Sequence, residues 1–259
     1  MFISTASNSK LNSFQQCRLK YRYRYVDRIK GPKPLNQNAL NFGSYIHKIF
    51  EDGVGATTKG ELNLLAEEFK ETYKIQNEDD RTRICIDNFL RFNASLSENV
   101  STEQRFELEL KEDITLNGII DRVIKGKEGG YLVIDYKTSK REKSKVELFQ
   151  DDQLKGYVLA VHKLYGVPLG SITAAHYYPL TNNFVSVRYS PNQINAHINK
   201  VVEEVWRIRK CKKTDLNASR NEFCNWCEYK TLCPVFEKPE VISENLKKCE
   251  KSTWKKKKD

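Results

Sequence analysis

The sequence predicts an α/β or α+β domain in which helices flank a central mixed β-sheet. The predicted elements run as helices, three antiparallel strands, a helix, two strands and a long helix. The spacing of apolar residues changes from helical to alternating at about residue 104. A composition of 39% hydrophobic and 11% aromatic residues over 259 residues is typical of a globular chain with a substantial core.

The residues before position 100 predict a helical region. Ser7 or Ser9 is the expected N-cap of a first helix, and the Gly-Pro-Lys-Pro sequence at 31–34 ends it. Further helices are predicted at 37–51, 60–76 and 80–97. The segment at about 36–100 is therefore expected to be a helical insert ahead of the sheet.

A catalytic sheet core is predicted at about 104–190. Residues 104–111 alternate polar and apolar side chains, as a half-buried strand does. The next two strands form an antiparallel hairpin that brings Asp121 toward Asp135. The later elements are strands at 114–124, 131–137, 170–179 and 183–189, and helices at 146–165 and from 191 to about 211.

Asp121, Asp135 and Lys137 are the most informative charged residues. Asp135 and Lys137 lie two apart at the end of a buried strand, so their side chains point the same way. Two converging carboxylates repel unless a cation neutralises them, and Mg²⁺ or Mn²⁺ takes such oxygen ligands. A bound metal would activate water, Lys137 would stabilise charge on a phosphate, and the backbone carbonyl of Tyr136 is a further candidate ligand. The alternative is a structural ion-pair network.

The formal net charge of +10 favours a polyanionic partner. Arg18 and Arg22 belong to an early basic cluster that alternates with Tyr21, Tyr23 and Tyr25. Basic and aromatic side chains together suit single strands, where bases stack on rings and phosphates meet charges. The alternative is a helix that packs its tyrosines into the core and exposes its arginines.

The seven cysteines predict one metal site. Cys17, Cys224, Cys227 and Cys233 supply four thiolates, which fit either tetrahedral zinc or a [4Fe–4S] cluster. Such a site would tie the first helix to the C-terminal segment, and its binding energy would contribute to folding. The other three cysteines are expected to be ordinary thiols.

Five sequence elements, in order, resemble the RecB-like branch of the PD-(D/E)xK nucleases, which includes CRISPR-associated and helicase-linked exonucleases. They are Ser7-x-Ser9-x-Leu11-x-x-Phe14-x-x-Cys17, Gly43-x-x-x-His47, Gly-Ile-Ile-Asp-Arg at 118–122, Ile-Asp-Tyr-Lys-Thr at 134–138 and Gln153-x-x-x-Tyr157. Together they span roughly residues 7–234. One departure is Arg18, where many relatives have Pro.

The resemblance implies a restriction-endonuclease-like core and roles for specific residues. It implies that His47 is a metal ligand, that Gln153 and Tyr157 support the site and contact DNA, and that the cysteines bind a [4Fe–4S] cluster rather than zinc. We expect a single nuclease domain over 1–245, with a cysteine cluster near its C-terminus and a disordered basic tail over 246–259. Glu107, on a neighbouring strand, is expected to be a solvated residue.

The expected function is that of a metal-dependent DNA nuclease. An exonuclease acting on single-stranded DNA or DNA ends is favoured, in recombination, repair or viral DNA processing. The sequence has no helicase Gly-x-x-x-x-Gly-Lys-[Ser/Thr] loop, which predicts a separate helicase or recombination partner. The alternatives are a non-catalytic DNA-binding or assembly subunit and a site- or structure-specific endonuclease.

The expected location is the cytoplasm, or the host cytoplasm if the protein is viral. No apolar run approaches the roughly 20 residues needed to cross a bilayer, so no membrane association is expected. The N-terminus also lacks the basic and apolar regions of a signal peptide.

Overall fold

A computed structural model describes residues 3–31, 37–111, 113–127 and 129–249. Its backbone contacts divide the chain into two compact units. One unit is Asn38–Lys200, and the other combines Met1–Gln37 with Val201–Asp259. Most of the expected basic tail lies outside the described residues, although a helix that ends at Lys248 includes its first positions.

The described strands and helices follow the predicted order. The strands are β1 (Thr5–Ala6), β2 (Glu98–Glu109), β3 (Thr115–Lys125), β4 (Tyr131–Tyr136), β5 (Ile172–Tyr178) and β6 (Asn183–Val187). The helices are α1 (Asn8–Gln16), α2 (Arg18–Tyr21), α3 (Gln37–Asp52), α4 (Lys59–Thr72), α5 (Asp79–Ser95), α6 (Lys145–Phe149), α7 (Asp152–Tyr165), α8 (Pro191–Lys210) and α9 (Pro239–Lys248). A π-helical turn, Arg22–Val26, follows α2.

The mixed sheet of the unit Asn38–Lys200 confirms the predicted fold class. Its strands lie in the order β2–β3–β4–β5–β6. The pairs β2–β3, β3–β4 and β5–β6 are antiparallel, and β4–β5 is parallel. The parallel pair needs a crossover, which the helical segment between β4 and β5 supplies.

Two predicted helices differ from the structure for local reasons. The first helix stops at Gln16 because Cys17 is extended, with φ −159° and ψ 117°, and Ser7 rather than Ser9 caps its start. The helix predicted over 146–165 is broken after Phe149. Asp151 accepts hydrogen bonds from the backbone N–H groups of Gln153 and Leu154, so it caps a new helix instead of continuing the old one.

The two faces of helix α3 lie in different surroundings. Its buried residues recur at the helical spacing of an amphipathic stripe and are Phe42, Tyr45, Ile46, Ile49 and Phe50. The Phe50 ring stacks on Phe89 of α5 with 4.0 Å between centroids, and it meets the edge of Tyr136 of β4. Burying each of these side chains stabilises the fold by about 1.5–3 kcal/mol. The other face of α3 is thereby left for Gly43 and His47.

The unit that combines the chain ends has its own small core. Leu19, Tyr23, Tyr229 and Leu232 are buried together. The Tyr23 hydroxyl donates to the Leu232 carbonyl at 3.0 Å, and the Tyr229 hydroxyl donates to the Ile29 carbonyl at 2.9 Å. These bonds join segments about two hundred residues apart in sequence. Among the described helices, none has the length and apolar character needed to span a membrane.

Gly118 of the Gly-Ile-Ile-Asp-Arg sequence lies beneath an aromatic ring. It pairs with Phe106 across β2 and β3, and a Cβ at this position would lie 2.6 Å from the Phe106 ring. The ring in turn meets the edge of Tyr157, with 6.2 Å between centroids. We therefore expect Gly118→Ala to lower the free energy of unfolding by about 1–3 kcal/mol, as overpacking does.

Denaturant unfolding of purified protein measures this effect. The matched control is Gly55→Ala, because a Cβ there meets nothing within 4 Å. That control is expected to change stability by less than about 0.5 kcal/mol. Equal stability of Gly118→Ala and wild type would contradict the packing account.

Candidate active site

Two neighbouring strands bring the predicted acidic residues to one place. Asp121 lies in β3, and Asp135 lies near the end of β4, which pairs with it antiparallel. The side chain of Asp121 accepts the backbone N–H of Tyr136 at 2.8 Å. Asp121 and Asp135 are only 9% and 2% exposed. The hairpin thus brings both carboxylates together, as predicted.

His47 reaches this place from the face of α3 that does not enter the core. Its Nε2 lies 2.9 Å from the backbone carbonyl oxygen of Tyr136, and its Nδ1 lies 3.5 Å from Asp121 Oδ2. Burial disfavours the imidazolium, but Asp121, with help from Asp135, outweighs it and raises the pKa of His47 to about 9. The neighbouring carboxylates therefore favour the protonated form of His47, which lies between a carboxylate and a carbonyl oxygen.

Gly43 lets α3 approach the loop after β4. A Cβ at this position would lie 3.3 Å from Thr138 Oγ1, closer than an ordinary contact. The absence of a side chain therefore explains the glycine four residues before His47. Gly43, His47, Asp121 and Thr138 line one open cleft with about 930 Å³ of empty space.

Lys137 lies directly after β4 and contacts both Asp135 and Gln153. Its ammonium is 2.5 Å from Asp135 Oδ2, and it donates to Gln153 Oε1 at 3.3 Å. Gln153 Nε2 donates in turn to the Tyr157 hydroxyl at 2.7 Å. Burial works against the charge of Lys137, but Asp135 outweighs it and raises the lysine pKa. Lys137 is accordingly a cation that α7 helps to orient.

Glu103 is a site residue that the sequence reasoning missed. The flanking pairs Thr102–Arg122 and Gln104–Ile120 place it opposite Asp121. Its φ of +46° lies in the left-handed region, which is uncommon for a glutamate. Burial, with the charge of Asp121, raises the pKa of Glu103. The predicted strand began at 104, one residue too late to reveal this pairing.

The donor atoms of this place fit a divalent cation. One donor atom each from His47, Glu103 and Asp121 lie within 4.8 Å of one another. His47 Nε2 and the Tyr136 carbonyl oxygen are joined by a hydrogen bond of 2.9 Å, so both atoms lie beside this group. Burial raises the pKa of Asp135 while Lys137 opposes it, and a cation would relieve the remaining repulsion from Asp121.

A second histidine, His176, lies behind Asp135 in β5. It is fully buried, and its Nε2 is 3.6 Å from Asp135 Oδ2. Burial, with the nearby charge of Lys137, lowers the pKa of His176 to about 4. Burial and the nearby ammonium therefore favour the neutral form of the ring. Sequence reasoning had no signal for it, because His176 belongs to none of the recognised elements.

The four predicted cysteines meet within the unit that combines the chain ends. Cys17, Cys224, Cys227 and Cys233 are all partly buried and line one small pocket. Burial raises the pKa values of Cys227 and Cys233. The backbone N–H of Asn221 donates to Cys224 Sγ at 3.3 Å. Four thiols around a common pocket fit a metal centre with thiolate ligands.

The tyrosines and the arginines of the basic and aromatic cluster lie in different surroundings. Tyr21 and Tyr23 are buried, as the packing alternative expected. Arg22 forms an ion pair with Asp27 at 3.0 Å, and the Arg18 guanidinium lies over the Phe14 ring at 5.4 Å. Both arginines therefore have partners within their own unit.

A family model described as the PD-(D/E)XK nuclease superfamily matches residues 5–234. The chain belongs to the PD-(D/E)XK nuclease superfamily. The matched range contains the hairpin with Asp121 and Asp135, the helix of His47 and all four cysteines of the pocket.

Proteins similar to this chain include streptococcal proteins named as subunits of an ATP-dependent helicase/deoxyribonuclease. The one from Streptococcus agalactiae is 26% identical over 178 residues, which covers 61% of this chain and 16% of that protein. The Streptococcus uberis protein is 26% identical over 148 residues, covering 51% of this chain and 14% of that protein. The chain thus matches about one sixth of these relatives' length.

A solved structure described as the crystal structure of SSO0001 also aligns with the chain. The alignment covers 92% of this chain and 89% of that one, with 13% identity and a TM-score of 0.42.

Glu103→Gln tests whether this residue belongs to the cation site. Removing one nearby carboxylate charge is expected to weaken Mn²⁺ binding by about tenfold, measured by calorimetric titration. The matched control is Glu107→Gln on the same strand, because Glu107 is exposed and pairs with Asn117. Equal Mn²⁺ affinity of the two variants would show that Glu103 does not belong to the cation site.

Proposed function

We propose that this protein is a metal-dependent DNA nuclease that hydrolyses phosphodiester bonds in single strands or at DNA ends. The observation that carries the proposal is the convergence of His47, Asp121, Asp135 and Lys137 on one place, where the two aspartates are buried. Membership of a nuclease superfamily and similarity to helicase/deoxyribonuclease subunits support this chemistry.

Asp121, Asp135, His47 and the Tyr136 carbonyl would hold Mg²⁺ or Mn²⁺, and Glu103 would add a further carboxylate charge beside them. When bound, such a cation lowers the pKa of a coordinated water and polarises a phosphoryl oxygen. His47 must release its proton to become a ligand, which also frees the Tyr136 carbonyl oxygen from its contact with the ring. The carboxylate and carbonyl oxygens suit either ion.

Lys137 would act as a fixed positive charge rather than as a base. Its raised pKa keeps the ammonium protonated, and its contacts with Asp135 and Gln153 fix its direction. A preorganised cation of this kind stabilises negative charge that develops on phosphorus in the transition state. Gln153 and Tyr157 would orient Lys137 and approach the DNA backbone.

DNA is the proposed partner because of charge and similarity. The net charge of +10 favours association with a polyanion. Arg18 and Arg22 are candidate phosphate contacts, and release from Phe14 and Asp27 would accompany such binding. The names of the similar proteins combine helicase and deoxyribonuclease activity, so a separate helicase is the proposed protein partner. Action on DNA ends, in recombination, repair or viral DNA processing, is the proposed role.

Cys17, Cys224, Cys227 and Cys233 would hold a [4Fe–4S] cluster, with zinc as the alternative. The four cysteines line one small pocket. One early and three late cysteines are the arrangement that the resemblance to iron–sulfur members of the RecB-like branch implies, and this arrangement supports the cluster.

A nuclease assay tests the catalytic proposal. End-labelled single-stranded, double-stranded linear and circular DNA should be incubated with Mg²⁺, Mn²⁺ or EDTA. We expect metal-dependent loss of linear DNA and survival of circles, because an exonuclease needs an end. Lys137→Ala is expected to lower the rate by at least about 100-fold.

Lys200→Ala is the control for loss of a lysine. Lys200 is half-exposed and pairs with Asp152. It is expected to keep the wild-type rate. Equal rates for Lys137→Ala and wild type would contradict the catalytic assignment, and cutting of circles would instead favour an endonuclease.

Anaerobic purification tests the cysteine site. We expect brown protein that absorbs near ~400 nm and contains about four iron atoms per chain, as Cys-ligated clusters of this type do. Cys17→Ser is expected to lose most of this absorbance, while Cys211→Ser retains it. Colourless wild-type protein with stoichiometric zinc would overturn the cluster assignment.

A further inference from the structure

His176 occupies a position next to the proposed metal ligands. The parallel register of β4 and β5 pairs it directly with Asp135. Its side chain is completely buried, and its nearest charged neighbours are the carboxylates of Asp135 and Asp151 and the ammonium groups that contact them. A buried polar ring at the centre of a charge cluster requires a physical explanation.

The groups around the ring favour one tautomer. His176 Nδ1 lies 3.3 Å from the Tyr178 hydroxyl oxygen. That hydroxyl accepts the backbone N–H of Lys143 at 2.8 Å and can donate its own proton to Nδ1. A lone pair on Nε2 would face two carboxylate oxygens and be repelled by them, so the carboxylates favour the tautomer with the hydrogen on Nε2.

The Nε2–H group lies between two carboxylates. Its nitrogen is 3.6 Å from Asp135 Oδ2 and 3.7 Å from Asp151 Oδ2. Both distances exceed a hydrogen bond, and among the described residues Nε2 has no hydrogen-bond partner. Leaving such a buried donor unpaired costs about 1–3 kcal/mol. Its dipole nevertheless favours negative charge on both oxygens.

Asp151 is fixed on its other side. Its Oδ1 caps α7 by accepting the backbone N–H groups of Gln153 and Leu154, at 2.9 and 3.1 Å. Its Oδ2 contacts the ammonium of Lys143 at 2.6 Å. Asp151 is therefore an anchored carboxylate at the start of the helix that carries Gln153. Each of the two aspartates thus has an ammonium beside it, Lys137 at Asp135 and Lys143 at Asp151.

We propose that His176 is a positioning residue that holds the Asp135 carboxylate in place for metal binding, through its Nε2–H group and the anchored Asp151. This inference rests on the proposed function, in which Asp135 is a metal ligand. It links Asp135 to the same helix that orients Lys137 through Gln153. Loss of a side chain that supports a metal ligand typically lowers metal affinity by about 10–100-fold.

Substitutions at position 176 separate the N–H group from the shape of the ring. His176→Phe keeps a planar ring but removes both nitrogens, and His176→Gln can place an amide N–H near the position of Nε2. We expect His176→Phe to weaken Mn²⁺ binding by about tenfold or more, and His176→Gln to stay within about threefold of wild type. Calorimetric titration measures the affinity, and thermal unfolding confirms that each variant is folded.

His197→Phe is the matched control. His197 is also buried beside a carboxylate, with Nδ1 3.4 Å from Asp152 Oδ1, but it lies on α8. It is expected to leave Mn²⁺ affinity unchanged. Wild-type affinity in His176→Phe, or equal weakening in the Phe and Gln variants, would overturn the proposal. Failure of wild-type protein to bind Mn²⁺ would instead reject the proposed function.

Nitrogen NMR of the wild-type histidines tests the proposal without any substitution. The expected spectrum has His176 protonated at Nε2 and unprotonated at Nδ1 at pH 7. The opposite tautomer would turn the N–H group away from both aspartates and would overturn the inference even if the variants do not fold.

Discussion

The backbone of one residue, Tyr136, connects the three elements on which the site depends. Its N–H donates to Asp121 of β3, and its carbonyl oxygen contacts His47 of α3. Its ring is buried against Phe50 and Phe89, so the backbone cannot shift without disturbing the core. A backbone group needs no rotamer to be fixed, which makes this arrangement a preorganised frame for charged side chains.

Around this frame, each charged side chain is restrained by another element. Gln153 of α7 orients Lys137, and α7 itself begins at Asp151 because that side chain caps it. Phe106 packs over Gly118 and reaches Tyr157, so the strand before the hairpin also supports α7. Each buried charge, whose desolvation costs free energy, is therefore compensated by a neighbour of opposite sign or by a backbone group.

The sequence predicted the residues that belong to short, ordered motifs. Asp121, Asp135 and Lys137 follow from strand periodicity and a single hairpin, whereas His47 was implied by the resemblance to RecB-like nucleases. Glu103 could not be found in this way, because its role depends on the register of β2 against β3 and on an uncommon backbone conformation. His176 was equally hidden, since only the parallel pairing of β4 with β5, two strands far apart in sequence, places it beside Asp135. The break before α7 was missed because Asp151 reads as an ordinary helix residue until its side chain is seen to cap the next turn.

The most direct measurement is the anomalous scattering of a crystal soaked in Mn²⁺. The account predicts one strong peak within about 2.0–2.6 Å of His47, Asp121, Asp135 and the Tyr136 carbonyl oxygen, with the His47 ring no longer hydrogen-bonded to that oxygen. A structure at saturating Mn²⁺ in which His47 still contacts the carbonyl, and the ion binds elsewhere or not at all, would contradict it.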